Sequence, residues 1–269
     1  MPTRKEIAAH HLCCRTVGTS VERSRGTAAA FFDLDKTLIS RSSTLAFVPS
    51  FYRRGLITRS QALRGVCAQL SFRLTGAGHH RTKRLRDQVS AVCRGWNADL
   101  ISQIVTENLT EVIGPLVYAE ARSLVSRHQH DGHDVLIAST SGQEIVRPIA
   151  IMLGACATVA TRLEIAGGMY TGGVEFYAHG QAKADGVRQL AAERGYRLEE
   201  CYAYSDSVTD LPLLEMVGHP HAVNPDRALR RAARDREWPV LTFSQAGVAG
   251  PDGINALSSL ESDPATPSM

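Results

Sequence analysis

Asp33 and Asp35 stand one residue apart in Ala30-Phe31-Phe32-Asp33-Leu34-Asp35-Lys36-Thr37-Leu38-Ile39, at the point where a short apolar run ends. In an extended chain alternate side chains leave on the same side, so this spacing brings two carboxylates close together. The placement is costly unless a cation or a shared proton relieves it. A metal and a reaction are what such a strand end could serve. The plainer reading is a strand followed by a polar turn, because Asp favours turns.

Three later groups bear on the choice. Ser139 lies in Leu136-Ile137-Ala138-Ser139-Thr140-Ser141-Gly142-Gln143-Glu144, which reads as a strand running into a helix. Ser141 with Glu144 makes a capping box. Ser139 is not needed for that cap, and a hydroxyl beside the N–H groups of a helix start suits an anion. Lys183 opens the helix that runs to Glu193, where the helix dipole favours acids. A solvated surface lysine is the plain reading there, and a hold on an anion the functional one. The third group is Tyr202-Ala203-Tyr204-Ser205-Asp206-Ser207-Val208-Thr209-Asp210-Leu211-Pro212, a second strand ending in acids. Asp210 reads as a helix N-cap with Pro212 in the first turn, which leaves Asp206 as the better metal candidate.

Hard oxygen ligands without Cys or His fit Mg2+. A carboxylate beside that ion can attack phosphorus and form an aspartyl-phosphate. A second carboxylate can protonate the leaving oxygen and later deprotonate water. The ion, Lys183 and a helix N-terminus would offset the charge on the transferring group.

The elements that must position these groups can be read from the apolar pattern. A first strand covers roughly 28–32. From Ser42 to Pro115 the apolar spacing is helical, as in Leu56, Ile57, Leu63, Val66, Leu70 and Phe72. Beyond Pro115, apolar runs at Val135–Ala138, Cys201–Tyr204, His221–Val223 and Pro239–Phe243 alternate with helical stretches. Ala157–Ile165, Gly167-Gly168 and Met169–Tyr177 predict a β-hairpin. The pattern predicts an α/β fold with a mostly parallel sheet covered on both faces. Ligands bind such sheets at the carboxyl ends of strands, near a switch in strand order, and a helical insertion there could close as a lid.

Composition narrows the function classes. The chain has 269 residues, 43% hydrophobic, with a net charge of +3, which fits one domain with a large insertion or two domains. No basic run interleaved with aromatics points to nucleic acid. The cluster Arg81 to Arg86 reads as a solvated helix face that could also attract an anionic substrate. Apart from Cys13-Cys14 the cysteines are scattered and no CxxC occurs, which favours a reducing cytosol. His10-His11-Leu12-Cys13-Cys14 lacks a second ligand cluster and reads as tail. Neither a signal-peptide core nor an apolar run of about 18 residues is present, so a cytoplasmic protein is expected. Asn108-Leu109-Thr110 matches the glycosylation pattern, which has no meaning in a cytosolic helix. Residues 1–27 and 244–269 read as disordered tails.

The ordered set FFDLDKTLI, LIASTSG, Lys183 and YSDSVTD resembles the haloacid dehalogenase superfamily of phosphatases. The helical insertion after the first motif resembles the phosphoserine phosphatase-like subgroup. The stretch YAYSDSVTDLPLLEMVGHPHAVNPDRALRRAARDREWPVL is close to a bacterial, often actinobacterial, branch of it. The resemblance runs from about Ala28 to Phe243. It implies a three-layer Rossmann-like core built from 28–41 and 116–243, an all-helical cap at 42–115, and a Mg2+-dependent phosphomonoester hydrolase acting on a small phosphorylated metabolite. It further implies Asp33 as nucleophile and metal ligand, and Asp35 as general acid/base with its carbonyl on the metal. Asp206 would complete the protein's metal shell and Asp210 would support it. Ser139 and Lys183 would hold the phosphoryl group, with Thr140 and Thr209 as further candidates.

The departures concern substrate. Where phosphoserine phosphatases carry an acid that grips the amino group, this chain reads Ile39-Ser40-Arg41-Ser42-Ser43-Thr44. The second motif is Ser-Thr-Ser-Gly where Ser-Gly-Gly is usual, and Thr209 stands where an Asn is usual. Phosphoserine is the best single substrate the subgroup offers. A phosphotransferase or phosphomutase shares the aspartyl-phosphate step, and a non-catalytic Mg2+-dependent binding module would keep the fold without the reaction. A signalling receiver is disfavoured, since it carries adjacent acids and no helical insertion of this size.

Overall fold

The computed structural model describes residues 28–58, 90 and 92–247. Of the C-terminal tail expected from 244, residues 244–247 are described and bonded to the core, with the Ala119 amide donating to the Gln245 carbonyl at 2.8 Å and the Gly247 amide to the Val117 carbonyl at 3.3 Å. The rest of that tail, the N-terminal tail up to residue 27, the Arg81–Arg86 cluster and the spacing from Leu63 to Phe72 lie outside the described residues.

Seven strands form one sheet. They are β1 (Ala29–Phe32), β2 (Asp134–Gly142), β3 (Ala157–Ala166), β4 (Met169–Phe176), β5 (Tyr202–Ser205), β6 (His219–Val223) and β7 (Val240–Leu241), in the spatial order β4-β3-β2-β1-β5-β6-β7. All neighbouring strands run parallel except β3 and β4. Those two form the expected hairpin, turned by Gly167 (φ 57°) and Gly168 (φ 78°). Positive φ at both central residues is what a tight hairpin turn matching the strand twist requires.

The helices are α1 (Ser43–Ala46), α2 (Val48–Arg53), α3 (Ala98–Ile113), α4 (Ala119–His130), α5 (Gln143–Met152), α6 (Gln181–Arg194), α7 (Leu211–Leu214) and α8 (Arg227–Asp235). They divide by sheet face. Along β1, Ala30 and Phe32 join a core cluster with Ile104 and Val105 of α3, Leu124 of α4 and Val146 and Ile149 of α5. Ala29 and Phe31 point the other way, onto Ala184 and Val187 of α6, Leu213 of α7 and Leu229 of α8. The period-two alternation of a buried strand thus feeds two cores at once, and the result is the three-layer α/β arrangement. Between β1 and β2 the described residues form helices and no named strand. Phe47, Phe51 and Ile57 from this stretch share the core of the α3–α5 side.

Strand limits differ from the sequence expectation most at β2, β6 and β7, the last of which spans only Val240–Leu241. β2 runs four residues past Ala138, to Gly142, because β3 continues to pair with it after a register shift between Ser139 and Gly142. β6 starts at His219 and includes Pro220, while β7 pairs only with Ala222 and Val223. Among the described residues no helix is long and apolar enough to cross a membrane.

Candidate active site

Strand order reverses at β1, with β2 and β3 laid to one side and β5 and β6 to the other. A crevice at the carboxyl ends follows from that reversal. Asp33 and Asp206 directly follow β1 and β5, while Ser139, expected at a strand end, lies within β2, three residues before its last residue. The Asp33 amide donates to the Tyr204 carbonyl at 2.9 Å, which carries the pairing of β1 with β5 one residue past the strand. The chain then turns tightly. The Leu34 carbonyl accepts from the amides of Leu38 at 3.0 Å and Ile39 at 3.1 Å, and Lys36 takes φ 67°. A left-handed non-glycine residue is uncommon and costs conformational energy.

This turn separates the two acids. The strand ends at Phe32, so alternation does not carry through to Asp35, and the carboxylates are held by different donors instead of sharing a proton. Asp33 Oδ1 accepts from Lys183 Nζ at 2.7 Å and Oδ2 from Thr37 Oγ1 at 3.2 Å. Asp35 Oδ1 accepts from the Ser43 amide at 2.7 Å and Oδ2 from Ser141 Oγ at 3.0 Å. Burial pushes both carboxyls up from the usual range. The Lys183 ammonium opposes this at Asp33, where the Asp210 and Asp206 charges add to it. The Ser43 and Ser141 hydrogen bonds oppose it at Asp35.

Lys183 is buried at 1% exposure, far from the solvated reading of its sequence position. Its Nζ also donates to Asp210 Oδ2 at 2.7 Å, and the two carboxylates, outweighing burial, hold the ammonium well above its ordinary range. Asp210 occupies the N-cap position of α7 but makes no capping bond. Its Oδ2 accepts from Lys183 and from Ser205 Oγ at 2.7 Å, so the carboxylate turns inward to a buried charge and away from the amides of a single short turn.

The second expected cap also fails. The N-cap of α5 is Gly142, with no side-chain cap bond. Ser141 belongs to the extended β2, and its hydroxyl goes to Asp35. Ser139 is buried and accepts from the Ser141 amide at 3.2 Å, an arrangement in which its own proton stays available for another acceptor. The Thr140 hydroxyl donates to the Ala178 carbonyl at 2.9 Å, tying β2 to the segment before α6. Thr209 Oγ1 donates to Ser207 Oγ at 3.2 Å.

Asp206 follows β5 and faces Lys36 Nζ across 3.5 Å. Burial, with Asp210 adding to it and Lys36 opposing, pushes its carboxyl up to about 6. Asp33, Asp206 and Asp210 are all buried, against one buried ammonium among the described residues, Lys183. Unpaired buried carboxylates are unfavourable unless a cation or a proton joins them. The donor set is hard oxygen throughout, which fits Mg2+. Among the described residues no three His, Cys, Asp or Glu side chains gather as a metal cluster. An ion here would need backbone, water or substrate oxygens besides Asp33 and Asp206, as Mg2+ ordinarily takes.

A family model described as haloacid dehalogenase-like hydrolase matches residues 30–215. The chain belongs to the haloacid dehalogenase-like hydrolase family. It is 55% identical over 216 residues to the "inhibition of morphological differentiation protein" of Streptomyces azureus, covering 80% of this chain and 78% of that protein. A probable phosphatase of Mycobacterium tuberculosis is 50% identical over 231 residues, 86% of this chain and 80% of the relative. Among solved structures, a protein of unknown function from Bordetella pertussis Tohama I superimposes with a TM-score of 0.70 at 27% identity, over 80% of this chain and 97% of that one.

Several residues of this family member's site escaped the sequence reading. Thr37, Ser43, Thr44 and Ser205 are small hydroxyls, and nothing in their spacing distinguishes them from turn residues. Asp226 had a readable signal, since Asn224-Pro225-Asp226 precedes a helix. Its Oδ1 caps α8 by accepting from the Leu229 amide at 2.7 Å. The same side chain's Oδ2 accepts from the Val208 amide at 3.0 Å and Ser207 Oγ at 3.2 Å, and the Asp226 amide donates to the Asp206 carbonyl at 2.7 Å. One residue therefore caps a helix and clamps the loop that carries Asp206.

Proposed function

We propose that this hydrolase is a Mg2+-dependent phosphomonoesterase that acts on a small phosphorylated metabolite through a phosphorylated Asp33. The observation that carries the reading is the excess of buried carboxylates around Lys183 at the strand ends, a site organised for a cation and a phosphoryl group. Asp33 and Asp206 would hold Mg2+ with the Asp35 carbonyl. When bound, the ion would polarise the phosphoryl oxygens and offset their charge.

The chain's own residues then divide the work. Lys183 directs two donors to Asp33 and Asp210 and keeps a third for a phosphoryl oxygen, beside the Ser139 hydroxyl. An Asp33 oxygen attacks phosphorus, the bond from phosphorus to the ester oxygen breaks, and the departing oxygen takes the Asp35 proton. Burial favours the protonated form of Asp35 that this step needs, and at Asp33, where burial acts in the same direction, the Lys183 ammonium opposes it in favour of the attacking carboxylate. Water then attacks the phosphorus, Asp35 takes back a proton, and the acyl-phosphate bond breaks to release inorganic phosphate and Asp33. Residues 28–41 and 116–243 serve as the catalytic core and 42–115 as its cap, in a cytoplasmic protein. Phosphoserine is the first substrate to try.

The test is hydrolysis of p-nitrophenyl phosphate and phosphoserine by the purified protein, with and without Mg2+, beside Asp33→Asn. Turnover that needs Mg2+ and falls at least about a thousandfold in the variant is expected. An Asp33→Asn variant as active as the parent would refute the mechanism.

A further inference from the structure

The Ser141 hydroxyl has a full set of partners. It donates to Asp35 Oδ2 at 3.0 Å, accepts from Ser43 Oγ at 3.0 Å and meets Thr44 Oγ1 at 3.2 Å. A serine hydroxyl offers one proton and two lone pairs. Donation to the carboxylate leaves both lone pairs for the Ser43 and Thr44 protons, and the group is saturated. Ser43 and Ser141 are both buried, and Asp35 and Thr44 are half-buried. The other oxygen of Asp35, Oδ1, accepts from the Ser43 amide at 2.7 Å. Asp35 is therefore gripped through both oxygens, one from the first residue of α1 and one from β2.

We propose that Ser141, backed by Ser43 and Thr44, is a positioning residue that fixes the Asp35 carboxyl for proton transfer to the departing oxygen and from the attacking water. The inference rests on the acid/base role proposed for Asp35. The terminal torsion of an Asp side chain is broad, so a carboxyl held at one oxygen swings, and one held at both does not. Small misplacements of a reacting group are expensive in rate. The bond between Ser141 and Thr44 can run in either direction. The hydroxyl protons can thus turn over when Asp35 gains or loses its own, with no heavy atom displaced.

Ser141 lies on the core strand, while Ser43 and Thr44 lie on the helical segment that follows the first motif. The same three hydroxyls join those two parts of the chain at the proton-transferring group.

Leaving-group dependence tests this directly. Phenyl phosphate and p-nitrophenyl phosphate differ little in shape, but the phenyl ester needs protonation of its leaving oxygen far more. In this scheme kcat/KM reports only the steps up to departure of the phenol. Ser141→Ala should lower kcat/KM on phenyl phosphate about tenfold more than on p-nitrophenyl phosphate, and Ser141→Thr, which keeps the hydroxyl, should restore the ratio. Asp35→Asn is measured alongside. If it shows the selective loss and Ser141→Ala does not, the positioning role is overturned and the acid/base role stands. If Asp35→Asn slows both esters equally, the acid/base role falls and takes the Ser141 inference with it. A crystal structure of Ser141→Ala supplies a readout independent of turnover. Asp35 should keep Oδ1 on the Ser43 amide while Oδ2 spreads over more than one position, and a carboxyl left unmoved would count against the inference.

Discussion

At the residue scale the deciding arrangement is Lys183 between Asp33 and Asp210, with 2.7 Å to each. Removing one member of a buried ion cluster leaves uncompensated charge, which costs about 3–5 kcal/mol where measured in other proteins. Lys183→Met should therefore destabilise the fold by about that much, besides abolishing turnover. Adding Asp210→Asn to it removes one of the stranded carboxylates and should return about 1–2 kcal/mol, since residues in one network couple by such amounts. Urea unfolding of the parent, both single variants and the double variant checks this. Additive losses across the cycle would mean that Lys183 is not energetically tied to Asp210. The cycle isolates the structural part of Lys183's role, because it is read from unfolding and not from turnover.

At the element scale the loop after β5 depends on α8. Asp226 holds both at once, so Asp226→Ala should cost more than an ordinary cap. Loss of an N-cap alone is worth about 0.5–2 kcal/mol, and the Val208 amide and Ser207 hydroxyl lose their acceptor as well. A loss of about 2–3 kcal/mol is expected, with more Mg2+ needed for half-maximal turnover because the Asp206 loop is freed. Asp226→Asn, which keeps one acceptor oxygen, should fall between. Equal stability of the alanine variant and the parent in thermal unfolding would refute the clamp. The same elements show what the sequence could and could not disclose. β1, the β3–β4 hairpin and the two core faces were legible because burial patterns repeat along an element. Asp33, Ser139, Lys183 and Asp206 stand out in the sequence because each reads as a strand end or helix start with no local use, although β2 in fact continues past Ser139 to Gly142. Ser141 and Asp210 misled because a local use existed on paper: a capping box and an N-cap. In both cases a partner distant in sequence, Asp35 for one and Lys183 for the other, outweighed a single amide of a nearby helix. Charge-assisted bonds are roughly twice as strong as neutral ones, and no window of neighbouring residues contains that comparison.

At the scale of the whole molecule, the two sheet faces are not chemically alike. The face toward α6, α7 and α8 is packed mostly with small and aliphatic groups around one aromatic pair, Phe31 edge-on to Tyr196 at 6.4 Å. The opposite face carries an aromatic and histidine stack next to β1. Phe32 stacks on Tyr204 at 4.5 Å, Tyr204 on His221 at 4.7 Å, and His128 meets Phe32 edge-on at 5.9 Å. His128, from α4, is buried, with Nε2 2.9 Å from the Tyr204 hydroxyl and Nδ1 2.9 Å from His133 Nδ1. Burial first, then the nearby His133, lowers its pKa from 6.5 to about 4, with Asp131 opposing. A base depressed in the folded state is protonated more readily in the unfolded chain. Between about 6.5 and 4 the unfolded state therefore binds the extra proton, and stability falls as the pH drops through that window. The contribution is fully present above pH 6.5 and amounts to on the order of 3 kcal/mol. Asp33 and Asp206, whose carboxyls are raised in the fold, act in the opposite sense: their contribution is present at low pH and lost as the pH rises. A single pH curve is thus a sum of opposed terms, and the difference between two proteins separates them. His128→Gln keeps hydrogen-bonding capacity and cannot titrate. Its unfolding free energy should decline less steeply than the parent's from about pH 7 to about pH 4.5, although it starts lower at neutral pH from lost packing. Parallel curves for the two proteins would show that His128 is not the group whose protonation loosens this face of the sheet.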